Sequence, residues 1–237
     1  SSAPGVWTLS QASQAVGNGI WPPTGSTITN SLRFRSSASA YLNRTPGAAG
    51  NQQTWTWSGW AKIGSIGTAR SLFSCGSNTS NYTSIDWRAD NRIQLYSNTA
   101  GITVGSIVWD PYVWRDPSAW YHIVIVCDTT NATQTSRYRF YVNGIQYTGI
   151  SGTAGENTWP TQNALTNVNS TVAHSIGRKQ TTAGEYFDGY LAEINFIDGQ
   201  ALAPTYFGQF NATTGVWGPI GYTGSYGTNG FHLNFSN

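Results

Sequence analysis

Apolar and polar side chains alternate with period two along most of this chain, and glycine, proline and asparagine break the alternation, so the pattern predicts strands. Ser31-Leu32-Arg33-Phe34-Arg35 turns Leu32 and Phe34 to a core and the arginines to solvent, and Ala40-Tyr41-Leu42 continues it. Thr54 to Ile63 alternates again, with Trp55, Trp57 and Trp60 expected on one face. Further strands are expected at Tyr82 to Trp87, Arg92 to Tyr96 and Ile107 to Trp109. The heaviest strand, Trp120 to Asp128, follows a turn in which Pro117 fixes φ and Asp116 closes on its own backbone. Arg137 to Val142 runs into Asn143-Gly144, a pair suited to a type I′ turn that folds Ile145-Gln146-Tyr147 back as a hairpin.

Residues 148 to 168 carry glycine, proline, asparagine and threonine and are expected as a long surface loop, after which Ala173 to Gly177 resumes the sheet. Between Tyr186 and Gly199, Tyr190, Ala192, Ile194 and Phe196 form the apolar side of a strand. Leu191, Glu193, Asn195 and Ile197 fall on the other, with Glu193 exposed or partly covered. Ala201 to Gly208 is the one short helical candidate, and Phe231 to Phe235 a terminal strand. The expected fold is all-β, an antiparallel two-sheet jelly-roll sandwich. Residues 1–30 form a lead-in containing Gly5 to Leu9 and Trp21-Pro22-Pro23; residues 31–203 form the sandwich; residues 204–237 form an extension packed upon it.

The 237 residues suffice for one core. Only 9% are charged, so Ser, Thr, Asn and Gly must supply the surface, as is common outside cells or in rigid assemblies. The net charge of +2 is scattered, which excludes the dense basic footprint of a nucleic-acid surface. No apolar run approaches a membrane helix and the start lacks the order of a signal peptide, so no membrane insertion is expected. With no Met, the chain reads as processed or as a piece of a longer product. Cys75 and Cys127 each end a strand; a bridge and two buried free thiols both fit, the thiols better.

Trp120-Tyr121-His122, Tyr141-Val142-Asn143-Gly144, His174-Ser175-Ile176-Gly177 and Gly189-Tyr190-Leu191-Ala192-Glu193 occur in an order that resembles the laminin-G-like or pentraxin-like branch of the concanavalin A-like lectin/glucanase superfamily. The resemblance covers residues 31–203 and implies a concanavalin A-like jelly roll. Arg115 to His122, Ile197 to Leu202 and Thr223 to Phe231 further resemble bacteriophage virion proteins of the tail or fibre type. That implies a structural module on the extracellular surface of a particle, with other virion proteins as partners, homo-oligomeric assembly and adhesion to a host cell-surface glycan. The alternatives are a secreted non-catalytic carbohydrate-binding module and, more weakly, a divergent glucanase.

Glycoside hydrolysis by retention needs two carboxylates about 5 Å apart. Glu193-Ile194-Asn195 places an amide where the second acid of the glucanase pattern would stand, so no enzyme activity and no catalytic residue is expected. His122, His174 and His232 have no spacing that makes a triad, and no Cys/His grouping suits zinc. No cofactor is expected, with calcium left open through Asp86, Asp90, Asp110 and Asp116. Sugars need aromatic platforms beside planar polar groups, which makes Trp109, Tyr112, Trp114, Asn157 and Trp159 the glycan-binding candidates. Seven Asn-x-Ser/Thr triplets, at Asn43, Asn78, Asn81, Asn131, Asn169, Asn211 and Asn234, are of the number chance gives in so Asn-, Ser- and Thr-rich a chain.

Overall fold

The alternating segments pair into two seven-stranded antiparallel sheets in a computed structural model that describes residues 28–182 and 184–236. The segments expected around Gly5 and Trp21 lie outside the described residues. The front sheet runs β1 (Leu32–Phe34), β13 (Gly189–Asp198), β3 (Thr54–Ile63), β8 (Tyr121–Asp128), β9 (Tyr138–Val142) and β10 (Ile145–Tyr147), with β16 (Phe231–Leu233) also on β13. The back sheet runs β11 (Asn157–Thr158), β7 (Ile102–Val108), β6 (Ile93–Thr99), β5 (Asn81–Trp87), β4 (Arg70–Asn78), β12 (His174–Ile176) and β2 (Leu42–Arg44). A small ribbon pairs β14 (Gly208–Phe210) with β15 (Trp217–Pro219).

Between the sheets lies a core in which Trp55, Trp57, Phe73, Trp87, Phe140 and Phe196 are almost wholly buried. Asn143 and Gly144 hold positive φ (49° and 80°), as the type I′ turn requires, and β10 pairs back on β9. Ser118 N donates to Asp116 Oδ1 at 2.8 Å, closing the turn before β8. Cys75 and Cys127 are free thiols, both buried.

Four expectations are corrected. Trp60 does not share the face of Trp55 and Trp57. An odd separation along one strand puts it outside, against Ala192 and Trp217. On β13 the two faces exchange partway, because Glu193 and Ile194 together oppose Gly59 in a β-bulge, with Glu193 at φ 46°. Leu191 before the bulge and Ile194 and Phe196 after it all reach the inter-sheet core, while Ala192 and Ile197 point out. The helical candidate is a single 3₁₀ turn, Pro204–Tyr206. Strand β7 starts at Ile102 and stops before Trp109.

The outward face of the front sheet is itself buried. Val124, Val126, Tyr141 and Ile197 are covered by Leu202, Phe207, Tyr222 and Tyr226, and Trp60 and Ala192 by Trp217. Gly144 permits this cover, since a Cβ there would stand 2.4 Å from the Trp217 ring. Asp198 fastens the far end. Its Oδ1 accepts from Asn51 N and Asn169 Nδ2 and its Oδ2 from Asn229 N, all between 2.8 and 3.0 Å.

Candidate functional site on the back sheet

A serine and a histidine do meet on the front sheet. Ser58 Oγ lies 2.9 Å from His122 Nε2, and Trp217 Nε1 donates to His122 Nδ1 at 2.9 Å. Because an indole only donates, Nδ1 must be an acceptor and Nε2 must carry the proton toward Ser58. A general base needs the opposite tautomer, held by an acceptor such as a carboxylate. Trp60 stacks on the imidazole at 5.0 Å, and burial lowers its pKa to about 3. This is a sealed structural cluster. Glu193 is engaged elsewhere, 2.7 Å from His232 Nε2, and Asn195 Oδ1 accepts from Tyr226.

The back sheet presents different chemistry. Side chains alternating with the core residues Ile85, Trp87, Ile93 and Leu95 point outward: Tyr82, Ser84 and Asp86 from β5, Gln94 and Tyr96 from β6. Tyr82 and Tyr96, both half-buried, stack at 5.1 Å between centroids. Beside them a groove of about 390 Å³ is bounded by Asp86, Arg88, Asp90, Gln94, Lys179 and Glu185. Its floor is fixed by hydrogen bonds within and between strands: along β5 Ser84 Oγ donates to Asp86 Oδ2 at 2.7 Å, from β6 Gln94 Nε2 donates to Ser106 Oγ on β7 at 3.1 Å, and Arg88 Nη1 donates to Gln94 Oε1 at 3.1 Å.

Electrostatics lock the walls. Lys179 Nζ lies 3.1 Å from both Asp86 and Glu185; burial alone would lower its pKa, but the two carboxylates outweigh burial and raise it. For Asp90 burial pulls upward, yet hydrogen bonds from Arg92 and Arg88 win and hold the carboxyl below its usual value. Burial pushes the Tyr82 phenol up to about 12, against the pull of Lys179, so it stays a neutral donor. Asp86 Oδ1 is buried and meets no donor among the described residues. The two phenol rings, stacked on one another, thus stand beside fixed carboxylate, amide and guanidinium groups.

The residues expected to bind glycan are placed elsewhere. Trp109, Tyr112 and Trp114 do converge, but inward. Trp109 (1% exposed) packs 4.6 Å from Phe140, and Trp114 (6% exposed) meets the edges of Phe140 and Tyr147. Neither offers a free ring face, because the loop before β8 folds over the open end of the core. Tyr112 and Trp159 are half-buried against the same core, and Asn157 is exposed on β11. The four aspartates considered for calcium do not form a ligand set either. Asp86 faces Lys179, Asp90 and Asp110 face Arg92, and Asp116 closes its own turn. Among the described residues no three of His, Cys, Asp and Glu converge on a metal position.

Sequence reasoning missed Tyr82, Tyr96, Gln94 and Lys179 as site residues. The signal was the polar half of the alternation in Tyr82-x-Ser84-x-Asp86 and Gln94-x-Tyr96, which register across β5 and β6 brings side by side. A second cavity of about 220 Å³ opens at the sandwich edge among Leu42, Phe73, Phe196, Phe231 and Leu233. Asn43, Arg44, Asn169, His174 and Asn229 line it too, but all except Asn43 hold side-chain hydrogen bonds within the protein and most of the surface it exposes is apolar.

A two-sheet antiparallel sandwich of this topology defines a lectin-like class of fold. A family model described as the concanavalin A-like lectin/glucanases superfamily matches residues 36–205, and the chain belongs to that superfamily. No curated protein sequence matches it. Among solved structures, a point mutant of the NanB sialidase from Streptococcus pneumoniae is 16% identical with TM-score 0.51, the match covering 76% of this chain and 28% of that one. The enzymatically active domain of tailspike protein 2 from bacteriophage CBA120 is 14% identical with TM-score 0.51, covering 75% of this chain and 26% of that one. A heptameric SAP-like pentraxin from Limulus polyphemus is 18% identical with TM-score 0.48, covering 76% and 80%. The chain thus spans under a third of the sialidase and tailspike chains it matches. These likenesses concern fold. No described helix is long and apolar enough to cross a membrane.

Proposed function

We propose that the chain is a non-catalytic carbohydrate-binding module acting outside cells, with its sugar site on the outward face of the back sheet. The observation that carries this is the stacked Tyr82–Tyr96 pair beside a groove whose polar floor is pre-set by Ser84, Gln94 and Lys179. Superfamily membership supports it as well. The non-catalytic reading is supported by the front sheet, where His122 has the wrong tautomer under a Trp217 cover and Asn195 stands where a second acid is needed. A glycan array probed with the wild type and Tyr96→Ala tests the proposal. Loss of one stacking ring weakens binding about tenfold. Binding that ignores Tyr96 refutes the site, and turnover of bound glycan refutes the absence of catalysis.

A virion is the second reading for where the module works. It is supported by the likeness of Arg115 to His122, Ile197 to Leu202 and Thr223 to Phe231 to tail and fibre proteins, and includes homo-oligomeric assembly with virion partners. Immunogold labelling of intact particles tests it, and unlabelled particles would count against it.

A further inference from the structure

We infer that the back-sheet groove selects uncharged glycans and rejects sialylated, uronate-bearing or sulfated ones, an inference that rests on the carbohydrate reading above. Of the ten acidic residues in the chain, five meet in and beside this groove: Asp86, Asp90, Asp110, Glu156 and Glu185. They face three cations, so this region is acidic on a chain whose net charge is +2.

Each of those cations is already committed. Lys179 is held between Asp86 and Glu185, Arg88 between Asp90 and Glu156, and Arg92 among Asp90, Asp110 and Glu156. Arg178, the next along the chain, lies 3.7 Å over the Tyr41 ring and donates to Gln180. None is left to receive an incoming carboxylate or sulfate, and freeing one would strand a partly buried acid.

The floor is part of that acidic surplus. The Asp86 side chain is 5% exposed and its Oδ2 takes Ser84 and Lys179, so its charge stays fixed beneath the groove. Selection therefore rests on repulsion: an incoming anion meets fixed carboxylates and no free cation, whereas an uncharged sugar meets no such penalty.

The test is calorimetric titration of one uncharged oligosaccharide bound on the array and of the same oligosaccharide capped with sialic acid, at low and high salt. It uses the wild type, Tyr96→Ala and Asp90→Asn, the last an exposed position that leaves the Asp86 floor intact. The expected result is at least about tenfold weaker binding of the capped sugar, with the gap narrowing at high salt and in Asp90→Asn. Equal or tighter binding of the capped sugar that Tyr96→Ala abolishes keeps the site and overturns the charge selection. Binding unaffected by Tyr96→Ala, or no binding, overturns the carbohydrate site and the selection with it.

Discussion

Acidifying the protein from about pH 7 to about pH 4.5 is expected to remove roughly 5 kcal/mol of stability, nearly all through two histidines. In the unfolded chain both titrate near the ordinary 6.5. Folded, burial lowers His122 to about 3. Burial, with some help from the Arg44 charge, lowers His174 to about 4 against the Val172 carbonyl that accepts from its Nδ1. Below 6.5 the unfolded state therefore binds more protons, and stability falls as pH falls, down to the folded values. Two pH units at about 1.4 kcal/mol each give roughly 2.7 kcal/mol per histidine. Asp90, whose carboxyl is held below its usual 3.8, adds its own loss only under about pH 4. Against a typical total of about 5–15 kcal/mol, this loss is large. Urea unfolding across the range measures it. In His122→Gln the amide can still accept from Trp217 and donate to Ser58, so the variant begins weaker through lost stacking but loses only about half as much on acidification. An unchanged loss in that variant would show that the buried neutral imidazole is not the source.

Other outcomes follow from burial alone. Burial raises both Cys75 and Cys127, and neither is exposed, so a thiol reagent should leave the native protein unlabelled and modify two thiols after denaturation. Native labelling at a free-thiol rate would mean that the core opens readily. Removing the residues after 203 should uncover Trp60, Val124, Val126 and Ile197, giving aggregation detectable by light scattering. A monodisperse truncated protein would show that the cover is dispensable.

Much of the sandwich was legible because period two and turn chemistry are local. Asn143-Gly144 announces its hairpin and Asp116-Pro117 its turn, and both stand where expected. The cover over the front sheet was not legible, since Trp217 sits in a glycine-rich stretch whose partners, His122 and Trp60, are remote in sequence. The misplacement of Trp109 and Trp114 has the same origin. A turn-flanked aromatic reads alike whether it faces solvent or caps a core, and only the path of the loop decides. Tyr82 and Tyr96 were overlooked because they meet through strand register, fourteen positions apart.

The extra residue at Glu193 works as a phase shift within one strand. Upstream, β13 offers its odd positions to the space between the sheets; downstream it offers its even ones, which frees Ile197 to grip the C-terminal segment. Straightening the bulge with that residue retained would impose one frame along the whole strand, turn Ile194 and Phe196 outward, and pull apart two hydrophobic layers that now share a single backbone. Deleting the residue instead would leave every flanking side chain on its present face, so the cost would fall on the local kink alone.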